Sequence, residues 1–297
     1  MNLGTVVRSS RLPFLILTPM CILLGAAVVS TQGYTIQIGS LVMALLGGLL
    51  AHISVNTLNE YQDFDSGLDL NTQRTPFSGG SGALPEHPEH KQAVLYAAIA
   101  SCLMTVAIGL YFIWLHGLAI LPLGSLGVLI IVLYTGWINR QPLLCLIAPG
   151  LGFGLLMVMG TQFVLVGEYW PEAFWLGLIP FLLVNNLLLL NQYPDVEADA
   201  AIGRHHFPIA YGVAASNLVY GINWLSSVGL VVIYVALDWL PFMGLLALLP
   251  LALGALVWRG ARTYGFAIGA HPGFMAMNVM MTLLTPLLIG MVLFWFH

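Results

Sequence analysis

Charge is what this chain has least of. Asp, Glu, Lys and Arg make up 7% of its 297 residues, against about a quarter in soluble globular domains. With 59% of the residues hydrophobic, the composition excludes a soluble fold and belongs to a membrane protein. The net charge of −4 says little about partners, because placement matters more than the sum. Cysteine is scarce too. Cys21, Cys102 and Cys145 sit singly inside apolar runs, which excludes a disulfide framework or a Cys-x-x-Cys metal site and leaves three small apolar side chains. An amphipathic Arg/Ser-rich transit segment is also missing. Arg8 and Arg11 precede the run from Leu12 to Val29, which is long enough to span and reads as a retained first helix, not a cleaved signal.

What the chain has instead is long apolar runs. A spanning helix needs about 20 predominantly apolar residues. On that ruler there are nine, roughly 12–30, 36–58, 92–114, 118–138, 143–166, 173–193, 210–236, 240–258 and 274–296. The expected fold is an all-α polytopic membrane protein, a single membrane-embedded domain over residues 1–297. Charge placement tests the count independently. With the N-terminus inside, Arg8, Arg11, Arg74, Lys91, Arg140, Arg204, Arg259 and Arg262 all fall in inside segments. The outside loops around Tyr34, His116, Glu168 to Glu172 and Asp238 hold no basic residue, the bias that the positive-inside rule describes. The expected setting is a prokaryotic cytoplasmic membrane, with nucleic acid not a partner.

Two acidic stretches stand out against this background. Asn59-Glu60-Tyr61-Gln62-Asp63-Phe64-Asp65-Ser66-Gly67-Leu68-Asp69 follows the second run, and Asn191-Gln192-Tyr193-Pro194-Asp195-Val196-Glu197-Ala198-Asp199 follows the sixth. Both fall at inside ends, four helices apart, which suggests a pseudo-repeat of four-helix halves. Helical residues four apart share a face. Asn59 and Asp63 therefore project together, as do Asn191, Asp195 and Asp199 if that helix continues. Carboxylates at this density repel one another unless cations bind between them, and an oxygen-only donor set suits Mg²⁺. The plainer reading is a solvated helix end, but the pattern occurs twice on one side.

Between the stretches, Arg74-Thr75-Pro76-Phe77-Ser78-Gly79-Gly80-Ser81-Gly82 is either a flexible linker or a backbone cradle for an anion. Carboxylates with Mg²⁺, together with Arg74, Arg140 and Arg204, make a site for a diphosphate, and the apolar helices suit a greasy chain. Such a metal site would stabilise a leaving diphosphate.

At these residues the sequence resembles the UbiA superfamily of intramembrane prenyltransferases, in the branch that includes the 1,4-dihydroxy-2-naphthoate prenyltransferases of menaquinone synthesis. Asn59, Asp63, Gly67 and Asp69 fit its first motif. Asn191, Asp195, Glu197, Asp199, Gly203 and Arg204 fit its second, and Tyr134-Thr135 with Arg140 and Pro142 resemble its tyrosine-bearing segment. The resemblance implies nine helices around a central cavity, Mg²⁺ dependence, and transfer of a prenyl group from a polyprenyl diphosphate to an aromatic ring carbon. It implies metal binding by Asp63, Asp69, Asp195 and Asp199, and diphosphate binding by Asn59, Arg74, Arg140, Asn191 and Arg204. Tyr134 would stabilise the cation or the acceptor. Three departures stand out: Glu60 where the family usually has Asp, Pro194 directly before Asp195, and a basic pair that reads Arg204-His205-His206.

Other readings stay open from sequence. A secondary transporter or cation carrier also uses repeats and intramembrane carboxylates, although these acids cluster at helix ends. A non-quinone acceptor is possible for the same chemistry. A CDP-alcohol phosphotransferase would need an Asp-Gly and an Ala-Arg pair ahead of its spaced Asps, and Asn191 to Pro194 stand there instead. Within the spans, His52 reads as packed and hydrogen-bonded, and Asn185 and Asn186 as either interhelical glue or cavity lining.

Overall fold

In lipid every backbone N–H and C=O must find its partner inside the structure, which leaves helices as the solution for apolar runs of this length. The computed structural model describes residues 3–72 and 74–296, and among them no strand occurs. Eight helices are long and apolar enough to cross a membrane, and a ninth is shorter. In chain order they are α1 (Leu12–Thr31), α2 (Ile38–Asp65), α3 (Pro88–His116), α4 (Leu118–Leu133), α5 (Pro142–Val166), α6 (Pro171–Asn191), α7 (Phe207–Ala236), α8 (Phe242–Ala270) and α9 (Pro272–Phe296). Short helices at Leu3–Ser9, Leu68–Asn71, Ala83–Glu86 and Val196–Ala201 connect them at one end.

Four boundaries differ from expectation. Helix α2 runs on past residue 58 to Asp65, so the first acidic motif begins inside the helix. Helix α4 ends at Leu133, short of residue 138. At about 1.5 Å per residue it covers roughly 24 Å, less than the hydrocarbon core of about 30 Å. The chain turns there, with the Asn139 N–H on the Tyr134 carbonyl at 3.0 Å, and a short turn at Ile138–Arg140 leads into α5. Helix α8 continues to Ala270, so Arg259 and Arg262 ride on it and not on a loop. Helix α6 stops at Asn191 and does not carry on through the second motif.

Helices α6 and α1 lie deepest, with 67% and 61% of their best spanning windows buried, while α2 is at 11%. Their core joins Leu24, Val158, Ile179, Leu183, Leu189, Leu251, Met281 and Ile289 from five helices. Small residues let these backbones approach, as membrane packing requires. A Cβ on Gly154 would stand 2.2 Å from the Phe181 backbone nitrogen, and one on Gly25 would stand 2.5 Å from the Val158 carbonyl. Pro149 sits inside α5 and a π-helical turn follows at Leu151–Leu156. The Gly150 N–H donates to Asn185 Oδ1 at 2.7 Å, so Asn185 ties α6 to the distorted stretch of α5.

Asn186 belongs to a second buried network. Its Nδ2 donates to the Tyr220 carbonyl at 2.8 Å, its Oδ1 accepts from Asn223 at 3.0 Å, and Asn278 donates to its carbonyl at 3.3 Å. Both asparagines are interhelical glue. His52 is buried, shares a hydrogen bond with Thr18 Oγ1 at 3.0 Å and meets Phe153 edge-on at 4.6 Å, a packed role as expected.

Candidate functional site

The two acidic motifs reach one place by different local routes. Asn59, Glu60 and Asp63 occupy the last turns of α2. Gly67, at φ 79, reverses the chain, and the short helix Leu68–Asn71 then turns Asp69 back inward, where it is buried. In the second motif Pro194 has no N–H to continue the helix, and Asp195 stands at the N-cap position of a new one, Val196–Ala201, without a side-chain capping bond. Asn191, Asp195 and Asp199 therefore do not share one continuous helical face. Gly203, at φ 80, turns the chain again, so that Arg204 folds back over the helix it has just left.

Arg204 is the joint between the motifs. Its Nη1 donates to Asp199 Oδ1 at 2.7 Å and its Nη2 to Asp63. The second oxygen of Asp199 pairs with His206 Nε2 at 2.9 Å. The segment after α4 closes the side: Thr135 Oγ1 accepts from Asn59 Nδ2 at 3.1 Å. Tyr134 packs against the cluster of Ile138, Cys145 and Ala148, and Gln192 Nε2 donates to the Cys145 sulfur at 3.2 Å. The turn thus touches the first motif directly, and its Asn139 carbonyl accepts the His205 N–H at 2.9 Å just after the second.

The glycine-rich loop lies across the carboxylates. Thr75 Oγ1 accepts the N–H groups of Phe77 and Ser78 at 3.1 and 2.9 Å, which folds the loop on itself. The Gly79 N–H then donates to Asp195 Oδ2 at 3.1 Å. A Cβ on Gly80 would stand 2.7 Å from Asp69 Oδ1. A groove of about 370 Å³ opens beside it, between Arg8, Arg11 and Phe14 on one side and Pro76, Phe77 and Ser81 on the other.

Of the residues expected in the site, Arg204 joins Asp63 to Asp199, one loop reaches Asp195 and Asp69 through Gly79 and Gly80, Asn59 meets Thr135, and Asn191 ends α6. Two expected arginines stand apart. Arg74 reaches Glu86 at 3.4 Å at an exposed edge, and Arg140 is exposed and makes no ion pair among the described residues. Asp65 turns outward to Lys91, and Glu197 is exposed. Sequence reasoning missed Arg11, whose guanidinium is 2.7 Å from Glu60. A single arginine at the mouth of an apolar run gives no sign of a partner on another helix.

Burial leaves several of these groups short of partners. Gln62 Oε1, Asp69 Oδ2, Asn191 Oδ1 and Asp195 Oδ1 are buried acceptors with no hydrogen bond. Burial, with the charges of Glu60 and Asp63 adding to it, pushes the Asp69 carboxyl up to about 8. Burial and the neighbouring Asp199 push Asp195 up to about 7. Unpartnered oxygens on four motif residues fit a hard divalent cation. Among the described residues no three His, Cys, Asp or Glu gather closely enough to hold an ion unaided.

Two curated proteins, both named 1,4-dihydroxy-2-naphthoate octaprenyltransferase, align with the chain. The one from Bacillus subtilis is 27% identical over 206 residues, 66% of this chain and 64% of its own length. The one from Haemophilus influenzae is 26% identical over 224 residues, 73% of this chain and 72% of its own. The chain thus spans less than two thirds of the first relative. Among solved structures, a UbiA homologue from Aeropyrum pernix superposes with a TM-score of 0.72 at 17% identity, covering 94% of this chain and 96% of that one. A UbiA homologue from Archaeoglobus fulgidus bound to DMAPP and Mg²⁺ gives 0.59 at 15% identity over 99% and 100%. A model of the UbiA prenyltransferase family matches residues 18–270, a stretch that contains both acidic motifs and the loop between them. The chain is therefore an integral membrane protein that belongs to the UbiA prenyltransferase family.

Proposed function

We propose that this protein transfers a prenyl group from a polyprenyl diphosphate to an aromatic acceptor within the membrane. The acceptor is a quinone precursor such as 1,4-dihydroxy-2-naphthoate, and one domain over residues 1–297 carries the reaction. The observation that carries this reading is the convergence of both acidic motifs on Arg204, with buried oxygens of Asp69, Asn191 and Asp195 left without partners beside it. The named acceptor of the curated relatives and the ligands of the Archaeoglobus homologue support it.

In this reading Asp63, Asp69, Asp195 and Asp199 hold Mg²⁺ on the diphosphate, and Asn59 and Asn191 assist. Bound there, Mg²⁺ supplies Lewis-acid stabilisation of the diphosphate as it leaves. Arg204 is placed to pass its two hydrogen bonds from carboxylate to phosphate oxygens, since guanidinium forks suit both. Arg74 and Arg140 are assigned to the diphosphate from the rim, where Arg74 would have to exchange its contact with Glu86 for a phosphate oxygen. Tyr134 presents its ring beside the second motif, where it stabilises the prenyl cation or the acceptor. The apolar helices keep water from that cation. Both motifs and the N-terminus face the cytoplasm of a prokaryotic cell in this scheme, which the distribution of Lys and Arg supports.

The test is direct. Membranes containing the protein are incubated with radiolabelled prenyl diphosphates and a panel of aromatic acids, with and without Mg²⁺. Label moves to a dihydroxynaphthoate-type acid only with Mg²⁺. Diphosphate release without transfer to any aromatic acid would overturn the proposal.

A further inference from the structure

Glu60 has surroundings unlike those of the other motif acids. It is fully buried, yet both oxygens are satisfied. Its Oε1 accepts from Arg11 Nε at 2.8 Å and from the Ser81 N–H at 2.7 Å, and its Oε2 accepts from the Ser81 hydroxyl at 2.7 Å. Arg11 also reaches Asn59 Oδ1 at 3.4 Å. Asp69 and Asp195 each keep one oxygen with no partner. Oε1 thus has both lone pairs engaged and Oε2 one of its two, and the Arg11 guanidinium already balances the charge that would draw a cation.

The groups on Glu60 come from two distant pieces of chain. Arg11 joins the N-terminal helix to α1 and sits at φ 54, in the left-handed region that a residue with a Cβ normally avoids. Ser81 ends the run in which three consecutive residues address three carboxylates: Gly79 meets Asp195, Gly80 meets Asp69, and Ser81 meets Glu60. Only the third contact is a closed, charge-balanced pair. An Asp at this position, one methylene shorter, would not reach Arg11 and Ser81 together at these distances.

We propose that Glu60 is a positioning residue and not a metal ligand: paired with Arg11 and Ser81, it pins the glycine-rich loop to the first motif and so sets where Gly79 and Gly80 stand against Asp195 and Asp69. The consequence for catalysis rests on the metal–diphosphate reading above. The pinning itself does not.

The experiment compares wild type, Glu60→Gln, Glu60→Asp, Ser81→Ala and Asp69→Asn in nanodiscs. Hydrogen–deuterium exchange reads the loop at 77–82, Mn²⁺ titration by electron paramagnetic resonance reads the metal, and steady-state kinetics read the prenyl diphosphate. Glu60→Gln and Ser81→Ala are expected to speed loop exchange by about tenfold or more, with Glu60→Asp between them and wild type. Their Mn²⁺ affinity stays within about twofold of wild type while Asp69→Asn loses it. KM for the prenyl diphosphate rises by a larger factor than kcat falls. Loop exchange that Glu60→Gln leaves unchanged overturns the proposal, as does a loss of Mn²⁺ affinity equal to that of Asp69→Asn. If Glu60→Gln does not fold, Ser81→Ala keeps the Arg11–Glu60 pair and gives the same readings. If wild type binds no Mn²⁺ that Asp69→Asn removes, the metal reading fails, and the exchange data still decide whether Glu60 pins the loop.

Discussion

Arg204 holds Asp63 through one guanidinium nitrogen and turns the other to Asp199 at 2.7 Å, so a single side chain bridges the first acidic motif and the second. Both carboxylates are buried, at 5% and 3% exposure. Two buried carboxylates facing one another without a cation would be strongly destabilised. Arg204 is thus the built-in counter-charge at the place where the proposed metal would bind.

Metal and Arg204 then compete for the same oxygens, and Arg204→Gln is expected to act in opposite directions on two ligands. Without prenyl diphosphate, Mn²⁺ affinity should rise roughly tenfold, because a hydrogen bond to a charged group is worth about 1.5–3 kcal/mol and the competitor is gone. Affinity for the prenyl diphosphate should fall by a similar factor. Arg204→Lys, which keeps the charge and loses the fork, should lie between them. Titration of both ligands on the same preparation checks this, and a fall in Mn²⁺ affinity in Arg204→Gln would make Arg204 a support of the metal site and not its competitor.

The pH dependence follows from Asp69 and Asp195. Their carboxyls stand at about 8 and about 7 in the fold, above the ordinary 3.8, so the folded state holds their protons more tightly than the unfolded chain does. That contribution to stability is complete below about pH 4, declines as the pH rises, and is gone above about pH 8. Metal binding has the opposite slope, since it displaces those protons: affinity should rise roughly tenfold per pH unit for each proton displaced between about pH 6 and 8. Thermal unfolding of the metal-free protein in detergent at pH 5.5 and 8.5 reads the first effect, and Asp69→Asn should flatten it. A metal-free Tm that rises with pH equally in wild type and Asp69→Asn would remove the assignment.

Much of this was legible in the sequence because its signals are local. Apolar run length placed nine helices, and the Asn and Asp spacing located both motifs. What was not legible depends on contacts between remote segments. Pro194 signalled a restart of the helix, but not that Gly203 would bring Arg204 back onto Asp199 and across to Asp63. Glu60 looked like an oddity of the metal site, because Arg11 and Ser81 lie outside its motif. Asn185 and Asn186 are adjacent in sequence yet serve different neighbours, Gly150 on α5 and Tyr220 on α7. Helix α4 ends early, and Thr135 beyond its end meets Asn59 from the first motif, a contact that apolar run length does not record.

Gly80 gives a sharp steric test of the loop. Its φ is 76, which disfavours a side chain by about 1–2 kcal/mol, and an added Cβ would press on Asp69 Oδ1 at 2.7 Å. Gly80→Ala should therefore lift the loop from Asp69 and lower prenyl transfer at least tenfold, at a Tm cost of only a few degrees. Gly33→Ala, also at positive φ (71) but with nothing within 4 Å of the added Cβ, is the matched control and should leave transfer unchanged. Equal activity in the two variants would mean that the loop does not need its close approach to Asp69.

The buried network around Asn186 should matter for stability and not for chemistry. Tyr220 donates its hydroxyl to Asn278 Oδ1 at 2.8 Å, and Asn278 donates in turn to the Asn186 carbonyl at 3.3 Å, which ties α7 and α9 to α6. Tyr220→Phe leaves the Asn278 oxygen buried without a donor and should cost about 1–2 kcal/mol. Asn278→Leu removes that orphan together with its own bond to Asn186. The double variant Tyr220→Phe/Asn278→Leu should therefore lose less than the sum of the single losses, by roughly 0.5–1 kcal/mol. Unfolding of all four proteins in mixed micelles gives the cycle, and kcat per folded molecule should stay within about twofold. A strictly additive cycle would show that the hydroxyl and the amide act independently, whatever their separation of 2.8 Å implies.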